Sequence, residues 1–531
     1  MKKLIIFLVA ILTCLVSVFA GCNNTKTGYS NNLSGFDGDP SSNGGSVVVK
    51  GDYVYFINGV AAYTDDNTYE KPVTGALVRV NKADLAKATA EKSEQNARIS
   101  AEMVIPSLFV AGDKTSGFYI FGDSVYYATP CTDKNKAGVV QNSKLTFMKT
   151  TLNGATSERL ITVDDNTTQY RYVQSGNTVY LVLKTVKTVT KDGEETTVDV
   201  IKIYNATENK EVYTTEKISS VIFTDGGNGA EIYYTRPAYN EKLEEDEAFN
   251  EVHRVKLDGT DEMILSGEGL MTSENGVGLT GVTYTLVKDT ADTLYVKVDH
   301  VDTSITTVTR YAAVAKASLV GTENDKAVLK ANYEKLETIN EGSANAGTIF
   351  TDASWYQSKD SIVYLDSTHG IIKYDYGTTD TAANDYRIRL FYDKDLVGYT
   401  AKFWDNGYLY LTDANGLYYR LNVAALLDET AENDNVEVER ITYVASATDW
   451  YLPEVVDNYL LTVYNASPYN SLVYVADMAA NAQLSDEDVE ELTASEKEKV
   501  QAILDTSISI YSETVAQNIK DYMEATFTEE E

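Results

Sequence analysis

The sequence predicts an all-β fold, namely a β-propeller of seven or eight four-stranded blades, followed by a C-terminal α-helical segment. A turn pair followed by an aromatic, β-branched strand recurs eight times between Val47 and Asp477. Most copies are followed by a second strand pattern that ends in a polar turn, and often by a third. Proline is scarce and tyrosine abundant, 7 and 39 of 531 residues, which is typical of many half-exposed strands.

The first element along the chain has the layout of a secretory signal. Lys2 and Lys3 provide a positive start, residues 4–19 are almost wholly apolar, and Ala20-Gly21-Cys22 supplies small residues that end in a cysteine. The apolar run of about 16 residues is short for a membrane-spanning helix, which needs about 20. We expect residues 1–21 to be a signal peptide and the remainder to be extracytoplasmic.

The residues at the end of this signal resemble a known processing site. Phe19-Ala20-Gly21-Cys22 is similar to the lipobox of bacterial lipoproteins, with Phe where that family prefers Leu. The resemblance implies lipidation of Cys22 by a diacylglycerol, with the membrane as a partner at the bacterial cell surface. Two acyl chains anchor a protein durably. An uncleaved membrane anchor, or a plain secretory signal with a chance cysteine, is the alternative.

A polar segment follows the cysteine. Residues 23–46 are dominated by Asn, Ser, Gly, Thr and Asp. A segment of this composition buries too little apolar surface to fold by itself and is expected to be flexible. We therefore predict a lipidated flexible linker over residues 22–46.

The body of the chain, residues 47–480, is predicted to be the propeller. One four-stranded sheet cannot cover both of its faces, so sheets restated at this spacing must pack radially into a ring. The alternatives are a β-solenoid, which needs a shorter and stricter period, and tandem sandwiches, which lack this repeated signature. The eight copies are 51–56, 122–127, 176–181, 230–234, 293–296, 360–365, 406–411 and 457–461.

One copy carries a further resemblance. Ile232-Tyr233-Tyr234-Thr235, followed by the run from Val252 to Gly259, is similar to the YWTD-type blade of receptor propellers. The pattern also resembles uncharacterised Gram-positive surface lipoproteins with degenerate propellers of that kind. The resemblance implies a fold and no catalytic residue. The poor copy around 311–314 leaves the choice between seven and eight blades open.

The texture changes after residue 480. Ser485 with Asp488, and Thr493 with Glu496, have the spacing of helix capping boxes. Apolar residues then recur at three- and four-residue steps, which predicts an amphipathic helical segment within residues 481–531, with a break near 505–507. Its apolar stripe is expected either to pack on the propeller or to dock a partner protein.

Charge and histidine content limit the possible functions. The formal charge of −34 opposes binding to nucleic acid and is ordinarily a sign of solubility, although it also favours cations or basic partners. Only His253, His300 and His369 are present, so neither a histidine-rich metal site nor a cofactor is predicted. Cys131 is interpreted as a structural residue because nothing near it in sequence would lower its pKa.

The functional prediction is a membrane-tethered binding or scaffold module for a protein, peptide or glycan. Trp355, Trp404 and Trp450 fall near blade starts and are candidate ligand-binding residues, because a ring face stacks on the apolar side of a sugar; inter-blade packing is the alternative. A propeller glycan hydrolase or lyase with paired carboxylates is the alternative function. It requires converging carboxylates with perturbed pKa values, whereas a binding module requires an exposed aromatic patch on a rim. No catalytic residue is assigned.

Overall fold

A computed structural model describes most of the propeller body and the C-terminal segment. The residues it describes are 29–59, 73–85, 87, 101–110, 116–165, 167–191, 193–216, 218–223, 231–237, 249–268, 280–301, 307–341, 355–358, 361–366, 370–375, 387–391, 396, 398–428, 436–443, 453–464, 472–492, 495–510 and 513–527. The predicted lipidation site Cys22, the signal peptide, His369 and Trp450 lie outside these residues.

The protein is an eight-bladed β-propeller of antiparallel sheets whose strands follow one another in chain order. Blade 1 comprises β1 (Val47–Lys50), β2 (Tyr53–Ile57), β3 (Leu77–Asn81) and β4 (Glu102–Ile105), and blade 2 comprises β5 (Tyr119–Phe121), β6 (Ser124–Pro130), β7 (Leu145–Thr151) and β8 (Ser157–Val163). Blade 3 comprises β9 (Gln169–Ser175), β10 (Thr178–Lys191), β11 (Glu194–Asn205) and β12 (Lys210–Glu216), and blade 4 comprises β13 (Ser220–Phe223), β14 (Glu231–Pro237), β15 (Asn250–Lys256) and β16 (Asp261–Ser266). Blade 5 comprises β17 (Thr280–Asp289), β18 (Thr293–Val301), β19 (Thr307–Ala315) and β20 (Glu337–Glu341), and blade 6 comprises β21 (Tyr356–Ser358), β22 (Ser361–Asp366), β23 (Gly370–Asp375) and β24 (Arg387–Phe391). Blade 7 comprises β25 (Thr400–Asp405), β26 (Tyr408–Thr412), β27 (Tyr418–Asn422) and β28 (Glu439–Arg440), and blade 8 comprises β29 (Glu454–Val456), β30 (Tyr459–Tyr464) and β31 (Leu472–Asp477).

Each copy of the sequence repeat is the second strand of a blade, and in several copies its turn pair closes the first hairpin. In blade 1, for example, Lys50 pairs with Tyr53 across the two-residue turn. Tight hairpin turns of this kind need a residue with positive φ, and Gly51 adopts φ +57° there. The poor copy around 311–314 belongs to β19, the third strand of blade 5, so it marks no extra blade.

Short helices lie between and after the blades. They are α1 (Lys82–Leu85), α2 (Lys326–Tyr333), α3 (Val423–Leu427), α4 (Met478–Ala482), α5 (Asp486–Leu492), α6 (Glu496–Asp505) and α7 (Glu513–Phe527), with a 3₁₀ turn at Lys316–Ser318. The predicted capping box at Ser485 is confirmed, since the Asp488 amide donates to Ser485 Oγ at 3.1 Å and the Ser485 amide to Asp488 Oδ2 at 2.8 Å. Helix α6 is capped by Ser495, which accepts from the Glu498 amide at 3.2 Å, and Thr493 of the second predicted capping box lies outside the described residues. The predicted break is present, because α6 ends at Asp505.

The C-terminal segment packs on the propeller and completes its last blade. After α6 the chain runs beside β31: the Val475 amide donates to the Thr506 carbonyl at 3.0 Å and the Ile508 amide to the Val473 carbonyl at 2.9 Å. Residues 506–508 thus occupy the position of a fourth strand in blade 8. Val500 and Ile503 of α6 and Ile519 of α7 join the apolar cluster of blades 7 and 8. Of the two expectations for the apolar stripe, packing on the propeller is the one observed.

The same segment bridges the seam where the ring closes. Val463, Val473 and Val475 of blade 8 share an apolar cluster with the strands of blade 1 and with Ile508. The Asn58 side chain, buried in blade 1, accepts from the Ile510 amide at 2.9 Å and donates to the Ile510 carbonyl at 2.9 Å. A small cavity of about 10 Å³ lies at this seam, and Thr462, which lines it, has a hydroxyl without a hydrogen-bond partner among the described residues. We call residues 506–510 the C-terminal clasp.

The polar segment before blade 1 differs from the expected linker. Asn31 Nδ2 donates to the carbonyls of Val104 and Leu152, both at 2.8 Å, and so ties residue 31 to blades 1 and 2. Asn43 exchanges two hydrogen bonds with the Ile120 backbone, at 2.8 and 2.9 Å. These are the contacts of a docked segment, so flexibility through residue 46 does not hold for residues 29–46, which we call the N-terminal strap. Polar composition misled the expectation because the strap is held by hydrogen bonds from its polar side chains to the backbone of the blades rather than by an apolar core of its own.

Arg79 is the centre of the strap's attachment to blade 1. Its side chain is 1% exposed, and its guanidinium lies 3.8 Å from the ring centre of Tyr53 and 4.9 Å from that of Phe36. It also donates to the Ser34 carbonyl at 2.7 Å and to Glu102 at 2.9 Å. An arginine that is stacked and multiply hydrogen-bonded in this way fixes the path of the strap. In the part of the chain described, no helix is long and apolar enough to cross a membrane.

Candidate functional site

An open pocket lies where blades 6 and 7 meet. Its cavity volume is about 270 Å³. The described residues that line it are Tyr356, Trp404, Gly407, Val423, Ala424, Leu427 and Asp428. We call this site the aromatic pocket, because Tyr356 and Trp404 form one of its walls.

The two aromatic rings are positioned by the first hairpins of adjacent blades. Trp404 in β25 pairs with Leu409 beside the turn at Asn406-Gly407, and Tyr356 in β21 pairs with Val363 close to the corresponding turn. Their ring centres lie 5.4 Å apart with 27° between the planes. Offset stacking of this kind holds both rings in place. Tyr356 is 38% exposed, high for a large side chain in a folded body, so part of its ring faces the pocket opening.

The opposite wall is the short helix α3. Asn422 caps it by accepting from the Ala425 amide at 3.0 Å, and the Ala424 amide donates to the Gly407 carbonyl at 2.9 Å. Gly407 has φ +80°, and a Cβ on it would lie 2.6 Å from the Ala424 Cβ. Glycine is therefore required here both by backbone conformation and by the close approach of α3. The β25–β26 turn and α3 thus form one unit that fixes the width of the pocket.

The three tryptophans predicted as ligand-binding residues have different environments. Trp404 lies in the aromatic pocket. Trp355 is only 2% exposed and packs edge-on against Tyr295, with ring centres 4.9 Å apart and Lys288 Nζ 4.5 Å from its ring centre. Such a ring offers no face to a ligand, so inter-blade packing describes Trp355. Trp450 lies outside the described residues.

Tyr356 is the site residue that the sequence interpretation overlooked. It follows Trp355 directly, and successive residues of extended chain point to opposite sides. Burial of Trp355 between blades therefore turns Tyr356 outward. The aromatic run at 354–356 contained this information, but only knowledge of which neighbour faces the core separates the two rings.

A cluster of titratable side chains surrounds His253 in blade 4. The ring is 4% exposed; Nδ1 lies 2.8 Å from Asp261 Oδ1, and Nε2 lies 3.1 Å from Glu251 Oε2. Tyr234 stacks on the imidazole and donates to Asp261 at 2.8 Å. Tyr213 of blade 3 also donates to Asp261, at 2.6 Å, so the cluster links two blades.

The protonation of this cluster follows from its contacts. Burial lowers the pKa of His253, but the hydrogen bonds to Asp261 and Glu251 outweigh it and raise the pKa above its ordinary value. Burial raises the pKa of Glu251, but bonds from His253 and Arg236 bring it below its usual range. The pKa of Asp261 is lowered in the same way, because the bonds from His253 and Tyr213 exceed the effect of burial. The arrangement is an imidazole held between two carboxylates, both of which favour its protonated form.

This cluster bears on the alternative function of a glycan hydrolase or lyase. A hydrolytic pair needs one carboxyl group that stays protonated near neutral pH, which means a raised pKa. Glu251 and Asp261 have lowered pKa values and are engaged by His253. Their convergence is therefore that of a structural ion cluster. Cys131, like His253, is buried.

No protein-family model matches the chain, and no curated protein matches it. Among solved structures, the chain is similar to the β-propeller domain of the Trilobed protease from Pyrococcus furiosus, at 10% identity and a TM-score of 0.30, over 84% of this chain and 95% of that one. It is also similar to an acylaminoacyl peptidase in complex with Z-Gly-Gly-Phe-chloromethyl ketone, at 8% identity and a TM-score of 0.34, over 87% of this chain and 52% of that one. It is similar to Pyrococcus horikoshii acylaminoacyl peptidase as well, at 9% identity and a TM-score of 0.33, over 82% of this chain and 50% of that one. The chain spans about half the length of these two peptidases, and no activity is transferred from them.

Proposed function

We propose that this protein is a membrane-tethered, extracytoplasmic binding module whose ligand occupies the aromatic pocket between blades 6 and 7. The observation that carries the proposal is the stacked pair of Tyr356 and Trp404 at the opening of a 270 Å³ cavity. Binding sites are typically concave, mostly apolar and supplied with few polar groups. The described lining has this composition, with Asp428 as its charged residue.

The distribution of carboxylates supports binding over hydrolysis. In the described part of the chain, the carboxylates that converge with shifted pKa values are Glu251 and Asp261 around His253. Both are already engaged in hydrogen bonds, Glu251 with His253 and Arg236 and Asp261 with His253, Tyr213 and Tyr234. The aromatic pocket has a single carboxylate among its described lining residues. Paired-carboxylate chemistry needs two such groups about 5–10 Å apart on either side of the scissile bond.

Ligand binding is tested with the purified protein on glycan and peptide arrays, scored for both retention and turnover. Trp404→Ala should abolish retention and lower the melting temperature only slightly, because the ring is half-buried at the surface. Trp355→Ala is the matched control: deleting a buried aromatic typically costs about 3–5 kcal/mol, so stability should fall steeply while retention persists below the melting point. Retention that survives in Trp404→Ala refutes the proposal, and turnover of an array ligand favours the enzyme alternative.

The tether is the second part of the proposal. The lipobox-like residues that end at Cys22 support it, and the hydrophobic stretch before them suits an exported chain. Cys22→Ser should move the protein from the membrane fraction to the soluble fraction of the producing cell. Cys131→Ser, at a buried thiol, is the control for loss of a cysteine elsewhere. Membrane retention of the Cys22 variant would contradict the tether.

A further inference from the structure

We propose that the aromatic pocket binds an ammonium group carried on a short aliphatic chain, whether on the lysine side chain of a peptide or in a free quaternary ammonium compound. The inference rests on the proposed function, because it names the ligand class of the same pocket.

The lining residues have the three kinds of surface that such a group requires. Tyr356 and Trp404 provide ring faces, and a cation within about 6 Å of a ring centre is attracted by its quadrupole. Asp428 is exposed at the end of α3 and provides a carboxylate. The aliphatic side chains that contact the stem of the ligand would be Val423, Ala424 and Leu427.

A neutral sugar suits this lining less well. Its hydroxyl groups lose water on entering the pocket, and each one left without a partner costs free energy. The described lining offers one carboxylate and otherwise aliphatic side chains beside the two rings. The volume of about 270 Å³ also lies just below the ~300–1,000 Å³ typical of sites for drug-sized ligands, so it fits a small molecule or one side chain.

The charge of the protein favours a cation over an anion. Among the described lining residues the only formal charge is that of Asp428, and the whole chain carries −34. A field of this sign concentrates cations near the surface and repels anions. Weakening of binding at higher ionic strength follows, since salt screens an exposed site.

The test is calorimetric titration of the full chain with two cations and their neutral counterparts. Choline is paired with 3,3-dimethylbutan-1-ol, which has the same shape without charge, and Nα-acetyl-lysine amide is paired with Nα-acetyl-norleucine amide. N-acetylglucosamine is the sugar probe. We expect at least one cation to bind, its neutral counterpart to bind at least about tenfold more weakly, and the sugar not to bind. Which cation binds more tightly distinguishes a free ammonium ligand from a peptide lysine.

Three variants assign the binding to the pocket. Trp404→Ala should abolish it, while Trp404→Phe, which keeps a ring face, should retain it. Asp428→Asn should weaken the cation about fivefold or more and leave the weak binding of the neutral counterpart unchanged. Asp123→Asn makes the same change in net charge on the exposed β5–β6 turn of blade 2 and should have no effect.

Each adverse result has a distinct meaning. If the sugar probe or an uncharged array ligand needs Trp404 and neither cation binds, the ammonium inference is overturned and the binding function stands. If choline binds equally well to the Trp404→Ala and Asp428→Asn variants, the inference is also overturned. If neither the probes nor any array ligand depends on Trp404, both the inference and the proposed function fail.

Discussion

The tie between Asn58 and the C-terminal clasp is predicted to hold the propeller ring closed. The Asn58 side chain is 2% exposed and makes three hydrogen bonds. It donates to the Val73 carbonyl at 2.8 Å and to the Ile510 carbonyl at 2.9 Å, and it accepts from the Ile510 amide at 2.9 Å. Asn58→Ala removes all three and leaves their backbone partners to find water. At about 1 kcal/mol for each bond, the local cost is about 3 kcal/mol.

Hydrogen exchange measured by mass spectrometry on peptides that cover residues 500–512 reads this cost directly. Opening of the clasp exposes the amides of Ile508 and Ile510, and a cost of about 3 kcal/mol accelerates their exchange roughly 100-fold. Exchange in blades 3 and 4, far along the ring from the seam, should change much less. The thermal midpoint should also fall.

The control is Asn415→Ala, an asparagine in an exposed turn of blade 7 whose side chain contacts Asp413 at 3.4 Å. It loses the same atoms without affecting the seam and should leave exchange in residues 500–512 unchanged. Unaltered exchange in the Asn58 variant would show that backbone pairing with β31 alone holds the clasp. The argument for an asparagine tie across the seam would then be wrong.

Further predictions concern the Gly407 turn of the aromatic pocket, the ion cluster around His253 and the N-terminal strap. Gly407→Ala should lower the free energy of unfolding by about 1–3 kcal/mol and weaken ligand binding, because the new Cβ would meet Ala424. The control is Gly122→Ala, where φ is +56° and no atom lies within 4 Å of a new Cβ, so only the backbone strain is added. His253→Gln should lose most stability relative to wild type below about pH 6.5, and the difference should shrink as pH rises through the raised pKa of the folded state, as measured by denaturant titration across pH. Asp261→Asn should lose stability that is present above about pH 3.8 and disappears as the pH falls through the lowered pKa of the folded state; a difference that stays constant in acid would contradict the cluster. Asn43→Ala should expose the strap to limited proteolysis, and an unchanged cleavage rate would show that Asn31 and Arg79 suffice to hold it.

The arrangement of strands could be predicted from the sequence because each blade restates a local signal. The glycine or asparagine at a hairpin turn and the alternating strand after it are both short-range features. Gly51, Gly122 and Gly176 all adopt positive φ at these turns, as tight hairpins require. The blade count remained open only where the third strand of blade 5 imitated a poor second strand.

Long-range contacts could not be predicted in the same way. The strap has the composition of a linker, yet Asn31 meets carbonyls that lie more than 70 residues along the chain. Asn58 and Ile510 are 452 residues apart in sequence. A polar residue that caps a distant backbone group looks the same in sequence as one that faces solvent, so composition assigns both to loops.

The candidate site was predicted in part for the same reason. Tryptophan near a blade start predicted a recognition surface. Trp404 lines the aromatic pocket, but Trp355 has the same sequence context and is buried. What separates them is the neighbouring blade: Trp355 packs on Tyr295 of blade 5, whereas Trp404 packs on Tyr356, which is itself exposed. Sequence periodicity reports which face of a strand is apolar and not what covers that face.

Strand β25 connects the aromatic pocket with the C-terminal segment. Trp404 stacks on Tyr356 toward blade 6, while its neighbour Phe403 stacks on Tyr410 with ring centres 4.4 Å apart. Phe403 and Tyr410 belong to the apolar cluster that α6 and α7 complete. Phe403 and Trp404 are consecutive residues of one strand, so a shift of β25 at Phe403 would move Trp404 as well. Loosening the packing of α6 and α7 on blade 7 should therefore weaken ligand binding, although neither helix contributes to the described lining of the pocket.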